Sequence, residues 1–382
     1  FYQLVAVFNN LAEQVMNGNA LLPPPAIKAP TRAQVLLRQR LLGQLDAPPS
    51  PNAADGAELP PSGTVAGRRR QLQARLRRLE STFPGTMVMR ELGRPRATHV
   101  LIRGQYDRQG EQVKPGVPEV LPALPTDVAP DRLALARWLV DRQHPLTARV
   151  AVNQIWQQHF GRGIVESGED FGTQGLPPSH PKLLDWLAVE LMDSGWDIKA
   201  LQRLIVTSAT YRQSAQATVD RYLDDPHNCR LARGPRYRME AEMIRDQALA
   251  VSGLLVERLG GRGVRPYQPE GIWEAVAHPS SNTAKYHVDE GGQLYRRSLY
   301  TFWKRTAPPP AMQILDAPSR ETCCVRRSRT NSPAAALLMM NDVQLVEAAR
   351  ELAEHLLSTS GLSDAQRLAL AFRQVTARAP QP

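Results

Sequence analysis

Cysteine is scarce in this sequence: Cys229, Cys323 and Cys324 are the only three in 382 residues. So few thiols exclude a disulfide framework, and the adjacent pair is expected to remain ordinary thiols near a helix start. No C-x-x-C-H is present, which excludes the usual attachment of a c-type haem within this stretch. H-E-x-x-H and closely spaced Cys/His ligands are also missing, so nothing in the spacing selects metal chemistry. There is no G-x-S-x-G for a serine nucleophile, and Ser208 falls inside a helical pattern. Gly260-Gly261-Arg262-Gly263 lacks the G-K-[ST] of a phosphate loop and reads as a helix stop with a turn. No apolar run nears the ~20 residues that span a bilayer; the longest, Ala334 to Met340, suits a short helix.

Proline and arginine are what the chain has in quantity. Its 32 prolines cluster, as at Pro23-Pro24-Pro25 and Pro308-Pro309-Pro310, where they break helices and stiffen connections. The formal net charge is +10, which suits an anionic partner, although the arginines are scattered among acids and mostly read as solvated faces. At 382 residues the chain is long enough for two or three domains. It opens at Phe1 in a structured-looking segment and stops within a helix, so it reads as a fragment and its missing leader carries no information.

Periodicity places helices over 31 to 45, capped by Thr31, and over 68 to 80, which pair as a hairpin across a linker at 46 to 66. Thr86 to Met89 and Thr98 to Ile102 read as short strands, with turns at Gly104 and Gly110 and extended proline-ruled chain to Pro125. From Pro130 onward helices dominate. Their starts are expected at Thr147, Ser179-Pro181, Asp197, Ser332-Pro333, Asn341-Asp342 and Ser363, with one long helix over 239 to 259. The fold expected is mainly α: a small mixed α/β part over 1–125, then a helical bundle-like domain over 126–382.

Two constellations carry candidate chemistry. On the helix from 147 to 160, Arg149, Asn153, Trp156 and Phe160 share a face, a lining for a sugar, carboxylate or peptide. A glycine-rich loop then leads past Asp170 to His180, so His159, Asp170 and His180 are the candidate catalytic group or a two-histidine, one-carboxylate metal set. Against that stands a structural reading in which these polar groups cap helices and tie the loop down. The second constellation, Arg296, Arg297, Arg305 and Arg320 with Asp316, Arg326 and Arg327, offers guanidinium forks for a carboxylate, sulfate or phosphate. Here too the alternative is structural, arginine–aspartate pairs that lock loops to the bundle. Arg236 to Asp246 reads as an ordinary ion-pair face at the start of the long helix.

Several long blocks are also similar to a known family. They are Asn153 to Gly163, Glu169 to Gly172, Pro178 to Leu187, Leu204 to Arg212, Arg296 to Arg305 and Asp316 to Asp342. Together they resemble domain of unknown function 1553, the planctomycete-specific domain one. Met87 to Glu91 and Leu101 to Gly104, within residues 1–125, resemble the tail of its usual partner, domain of unknown function 1549. The resemblance implies an exported, periplasmic or otherwise extracytoplasmic multidomain protein whose haem c sits in an upstream cytochrome module. No cofactor is therefore expected in this stretch, and the family's activity is not established. Ser332 and Ala334-Ala335-Ala336 depart from the family's more polar pattern. The expected role is a binding or assembly module, on an acidic polysaccharide or other anion or beside redox partner proteins. The alternatives are an enzyme domain, a hydrolase or redox partner acting on an anionic polymer, and nucleic-acid binding through the basic surface.

Overall fold

A computed structural model describes residues 1–12, 22–46 and 65–381. The linker expected over 46 to 66 lies almost wholly outside the described residues. Among the described residues, helix takes 44% and strand only 7%, in two small sheets, so the fold is mainly α. The chain divides into two compact units, Phe1–Trp138 and Leu139–Pro382. Among the described residues, no helix is long and apolar enough to cross a membrane.

The first unit begins with α1 (Tyr2–Phe8) and β1 (Ala26–Lys28). The hairpin follows as α2 (Arg32–Asp46) against α3 (Val65–Ser81), tied by Arg38 to Glu80 at 2.9 Å. Thr31 caps α2 by accepting from the Gln34 N–H, while Gln34 Oε1 accepts from the Thr31 N–H at 2.8 Å. β2 (Gly85–Met87) pairs antiparallel with β1, a partner the sequence did not suggest. β3 (Thr98–Leu101) pairs with β4 (Gln109–Val113) across a turn containing Gly104 at φ +73°. Gly110, expected in a turn, sits within β4. α4 (Arg132–Leu139) closes the unit, burying Leu135 and Trp138 with Val7, and the Trp138 indole donates to the Pro122 carbonyl at 2.6 Å.

In the second unit α5 (Thr147–Phe160), α6 (Pro181–Asp193) and α7 (Ile198–Thr207) surround one core. Apolar positions three and four apart bury Val152 and Trp156 from α5, Leu184, Leu187 and Leu191 from α6, and Leu201 and Ile205 from α7. Burial of each large side chain contributes about 1.5–3 kcal/mol. Asp197 caps α7 through the N–H groups of Lys199 and Ala200. Thr147 is the first helical residue rather than the cap; its hydroxyl sits 3.0 Å from His144 Nδ1. Ser208, expected mid-helix, ends α7 and caps α8 (Ala209–Arg212), and α9 (Val219–Asp224) follows.

α10 (Ala241–Val251) is half the length its apolar spacing predicts. Gly253 adopts φ +80°, and Val256 leaves the helix to bridge Arg296 in parallel. Five-residue α11 (Pro310–Ile314), α12 (Pro333–Asn341), α13 (Val343–Ser358) and α14 (Asp364–Thr376) complete the unit. The expected caps Ser332, Asp342 and Ser363 each accept from the first turn, and Ser363 with Gln366 forms a full capping box.

Candidate functional site

The predicted site residues separate according to how their polar atoms are satisfied. Asn153 is 1% exposed; its Oδ1 accepts from the Val165 N–H at 2.8 Å and its Nδ2 donates to the Val165 carbonyl at 2.9 Å. It is an internal staple for the loop after α5, with no atom left for a ligand. Arg149 pairs with Asp185 at 2.6 Å and also donates to the Pro145 carbonyl. The Asp170 carboxylate accepts from the Gly172 N–H at 2.6 Å, turning the glycine loop. A Cβ on Gly175 would come within 2.0 Å of the Asp170 carbonyl, so that turn requires glycine. His180 starts α6 beside the Ser179 hydroxyl, whereas His159 lies near the other end of α5, against Tyr211. Among the described residues no three His, Cys, Asp or Glu side chains gather to hold a metal, so His159, Asp170 and His180 do not form one centre.

The arginine constellation behaves in the same way. Arg296 is 1% exposed, stacks 3.8 Å from the Tyr300 ring, and donates to the carbonyls of Arg258, Gly260 and Arg262. A buried guanidinium held by three carbonyls is a structural clamp and does not face an outside anion. Arg297 reaches Asp246 at 3.3 Å, and Arg320 lies over the Trp303 ring at 4.3 Å with Glu242 3.9 Å away. Arg305 remains exposed. The ion pairs near the start of α10 are long-range rather than along one helix face. Arg238 binds Asp316, and Arg327 binds Glu240 at 3.1 Å and Glu242 at 2.6 Å. The end of α5 and the glycine after it meet Val325 and Arg329: Gln157 donates to the Val325 carbonyl and Arg329 to the Gly161 carbonyl.

What α5 does build, at its C-terminal end, is the wall of a groove. Trp156 and Phe160 stack at 4.1 Å, and Tyr211 meets Phe160 edge-on at 5.7 Å. Gly161 ends the helix at φ +77°, and a Cβ there would lie 2.7 Å from the Tyr237 ring. That close approach lets the Tyr237 hydroxyl donate to the Gln158 carbonyl, while Arg329 lies over the ring at 4.3 Å. Three depressions follow one another here. The first and second share Phe160, His227 and Asn228; the second and third share Pro235 and Arg236. Arg162, Arg233, Arg236, His159, His180 and His227 all line them, and no aspartate or glutamate does.

The facing wall, residues 213–240, is irregular apart from short α9 and is held by side-chain caps. Asp225 accepts from the N–H groups of Cys229 and Arg230, each at 2.8 Å. Asn228, at φ +51°, donates to the Arg233 carbonyl at 2.8 Å. Arg233 lies over the Tyr222 ring at 5.2 Å and donates one Nη2 bond to the Pro226 carbonyl, while its buried Nη1 has no partner. Arg236 is exposed and makes no ion pair among the described residues. Arg162 is paired with Glu166. Burial holds the His159 imidazole below its ordinary pKa, so it is neutral near pH 7. His159 and His180 were singled out from the sequence, with Asp170, as a candidate catalytic or metal-binding set. Arg233 and His227 were not singled out, because only the long-range packing of the irregular segment brings them to α5.

Asp225 makes this wall sensitive to acid. Burial pushes its pKa up, but the N–H groups of Arg230 and Cys229 and the charges of Arg233 and Arg230 outweigh that and hold it low. A depressed folded value means stability that is present above the unfolded pKa of about 3.9 and lost as pH falls toward the folded one. Asp225→Asn should therefore be less stable than the wild type above about pH 5, the gap closing below about pH 4. Urea unfolding of both proteins from pH 3 to 7 checks this; a gap independent of pH contradicts it.

A family model described as PSD1, protein of unknown function (DUF1553), matches residues 131–382. No curated protein and no solved structure matches the chain.

Proposed function

We propose that this chain, which belongs to the PSD1 family of proteins of unknown function (DUF1553), is a binding module that holds an acidic polysaccharide along its groove. One observation carries the reading: the three adjoining depressions are lined by arginine, histidine and aromatic side chains and by no carboxylate. Exposed Arg236 suits the carboxylates or sulfates of such a chain. Neutral amides such as Gln158 and Gln202 suit sugar hydroxyls. A two-carboxylate glycosidase centre needs acidic side chains that this lining lacks, which favours binding over hydrolysis here. Tyr222 and Tyr237 carry arginines over their rings, so they are poor platforms for nucleic-acid bases.

The wider setting belongs to the same proposal. The module is extracytoplasmic, part of a cytochrome c-associated multidomain protein whose haem lies outside this stretch. Residues 1–125 then derive from a domain of unknown function 1549. The ordered blocks within residues 87–104 support that view.

Calorimetric titration with polygalacturonate, a sulfated glycan, neutral dextran and a homopolymeric RNA tests the reading. Binding to the acidic glycans should weaken with salt, and Arg236→Ala should lower affinity about tenfold, near the lower end for a charge-assisted contact. Equal binding to dextran, or an Arg236→Ala variant of unchanged affinity, overturns it. Tighter binding to RNA replaces the polysaccharide with a nucleic acid.

A further inference from the structure

A large unbalanced charge lies in the first unit, on the α2–α3 hairpin. α3 exposes Arg68, Arg69, Arg70, Arg75, Arg77 and Arg78, and among the described residues none of the six is in an ion pair. The helix has one carboxylate, Glu80, and Arg38 of α2 already holds it at 2.9 Å. Lys28 of β1 donates to the Glu80 carbonyl at 2.8 Å and brings a further cation to that end. Like charges crowded along one helix repel one another, a cost that an anionic partner offsets.

Spacing sorts these side chains by face. α2 and α3 pack chiefly on each other, burying Leu41 of α2 and Leu72 of α3. Leu76 and Leu79 follow Leu72 at helical spacing on the same side of α3. Arg70, Arg77 and Arg78 fall on the opposite, open side. On α2 the outer row is Arg32, Leu36 and Arg40, each four residues from the next. Leu36 and its neighbour Leu37 stay 49% and 43% exposed. Guanidiniums and uncovered leucines therefore share the outside of one hairpin.

That mixture decides the kind of partner. A single-stranded nucleic acid stacks its bases on aromatic rings, and α2 and α3 contain none. An acidic glycan pairs with guanidiniums but leaves the leucines in water. A bilayer containing anionic phospholipid satisfies both, because its phosphates accept from the arginine forks while leucines enter the headgroup–acyl boundary.

We infer that the α2–α3 hairpin docks the chain peripherally on an anionic phospholipid membrane, through the α3 arginines with Leu36 and Leu37. The surface is independent of the groove and of what the groove holds.

Co-sedimentation of the whole chain with phosphatidylcholine vesicles containing about one-third phosphatidylglycerol tests this. Binding is expected to these vesicles and not to pure phosphatidylcholine, and it should weaken as salt is raised. Arg70→Gln, Arg77→Gln and Arg78→Gln combined should lower the partition coefficient about a hundredfold, each cation near such a surface contributing about fivefold. Leu36→Gln with Leu37→Gln should lower it about tenfold and leave its salt dependence unchanged. All five positions are exposed, so neither variant should melt below the wild type. Arg236→Ala, in the groove, should bind the vesicles as the wild type does. Equal binding to neutral vesicles, or binding to neither, overturns the inference. So does unchanged binding by the arginine variant or by the leucine variant. Binding to RNA or polygalacturonate that the arginine variant loses, without any vesicle binding, overturns it in favour of a soluble polyanion.

Discussion

Arg245→Met should lower the unfolding free energy of the second unit by about 3–5 kcal/mol, the range for removing one partner from a buried charged network. Arg245 is 9% exposed, and its guanidinium donates four hydrogen bonds. They go to Gln344 Oε1 at 2.5 Å, the Leu294 carbonyl at 2.7 Å, the Arg296 carbonyl at 2.9 Å and Ser298 Oγ at 3.1 Å. Methionine fills much of the volume but donates nothing. The Arg296 carbonyl and Gln344 Oε1 then stay buried with fewer partners, and Asp246 loses a compensating charge. Burial pulls the Arg245 pKa down to about 10 while Asp246 and Asp342 push it up, so the group remains charged at neutral pH. Arg245→Lys should recover little, since a single ammonium cannot reach four acceptors arranged around a planar fork. A fall in melting temperature of about 6–20 °C is expected for a unit of this size. A loss under about 1 kcal/mol would mean that the network contributes specificity rather than stability.

The parts of the fold that were legible are those decided locally. Asp197, Ser332, Asp342 and Ser363 were identifiable as caps because a short polar side chain reaches N–H groups two or three residues ahead. The α2–α3 hairpin and strand β3 followed from apolar spacing, whereas β4 falls where turns were expected. The same logic failed where a tertiary contact overrode spacing. Leu255 and Leu259 continue the period of α10, yet Gly253 turns the chain so that Val256 can join Arg296. Composition also hid the difference between free and engaged arginines. Arg296 and Arg236 look alike in the sequence, but three carbonyls from residues 258–262 surround one and the other is exposed. Those carbonyls lie 34 to 38 positions from Arg296, beyond any local pattern. The groove was least visible, because its second wall is an irregular segment shaped by Asp225 and Asn228 rather than by a period.

Asn153→Ala is the sharpest way to separate a structural role from a binding role on α5. The staple it forms with Val165 is completely buried, and the backbone on both sides is packed. Ile164 and Val165 are 3% and 2% exposed, and Ser179 donates to the Ile164 carbonyl through both its N–H and its hydroxyl. Alanine leaves the Val165 N–H and carbonyl without partners, at about 1–3 kcal/mol each, and opens a void beside Gly163. A loss of about 2–5 kcal/mol is therefore expected in urea unfolding. Asn153→Asp should not rescue it, since a carboxylate oxygen would then oppose the Val165 carbonyl. Gly163, Ser179 and His180 line the first depression of the groove, so loosening the staple should also weaken glycan binding. That effect should shrink in conditions that keep the variant folded, such as added osmolyte. A residue that touched the ligand would behave in the opposite way, losing affinity at every condition while the unfolding curve stayed where it was.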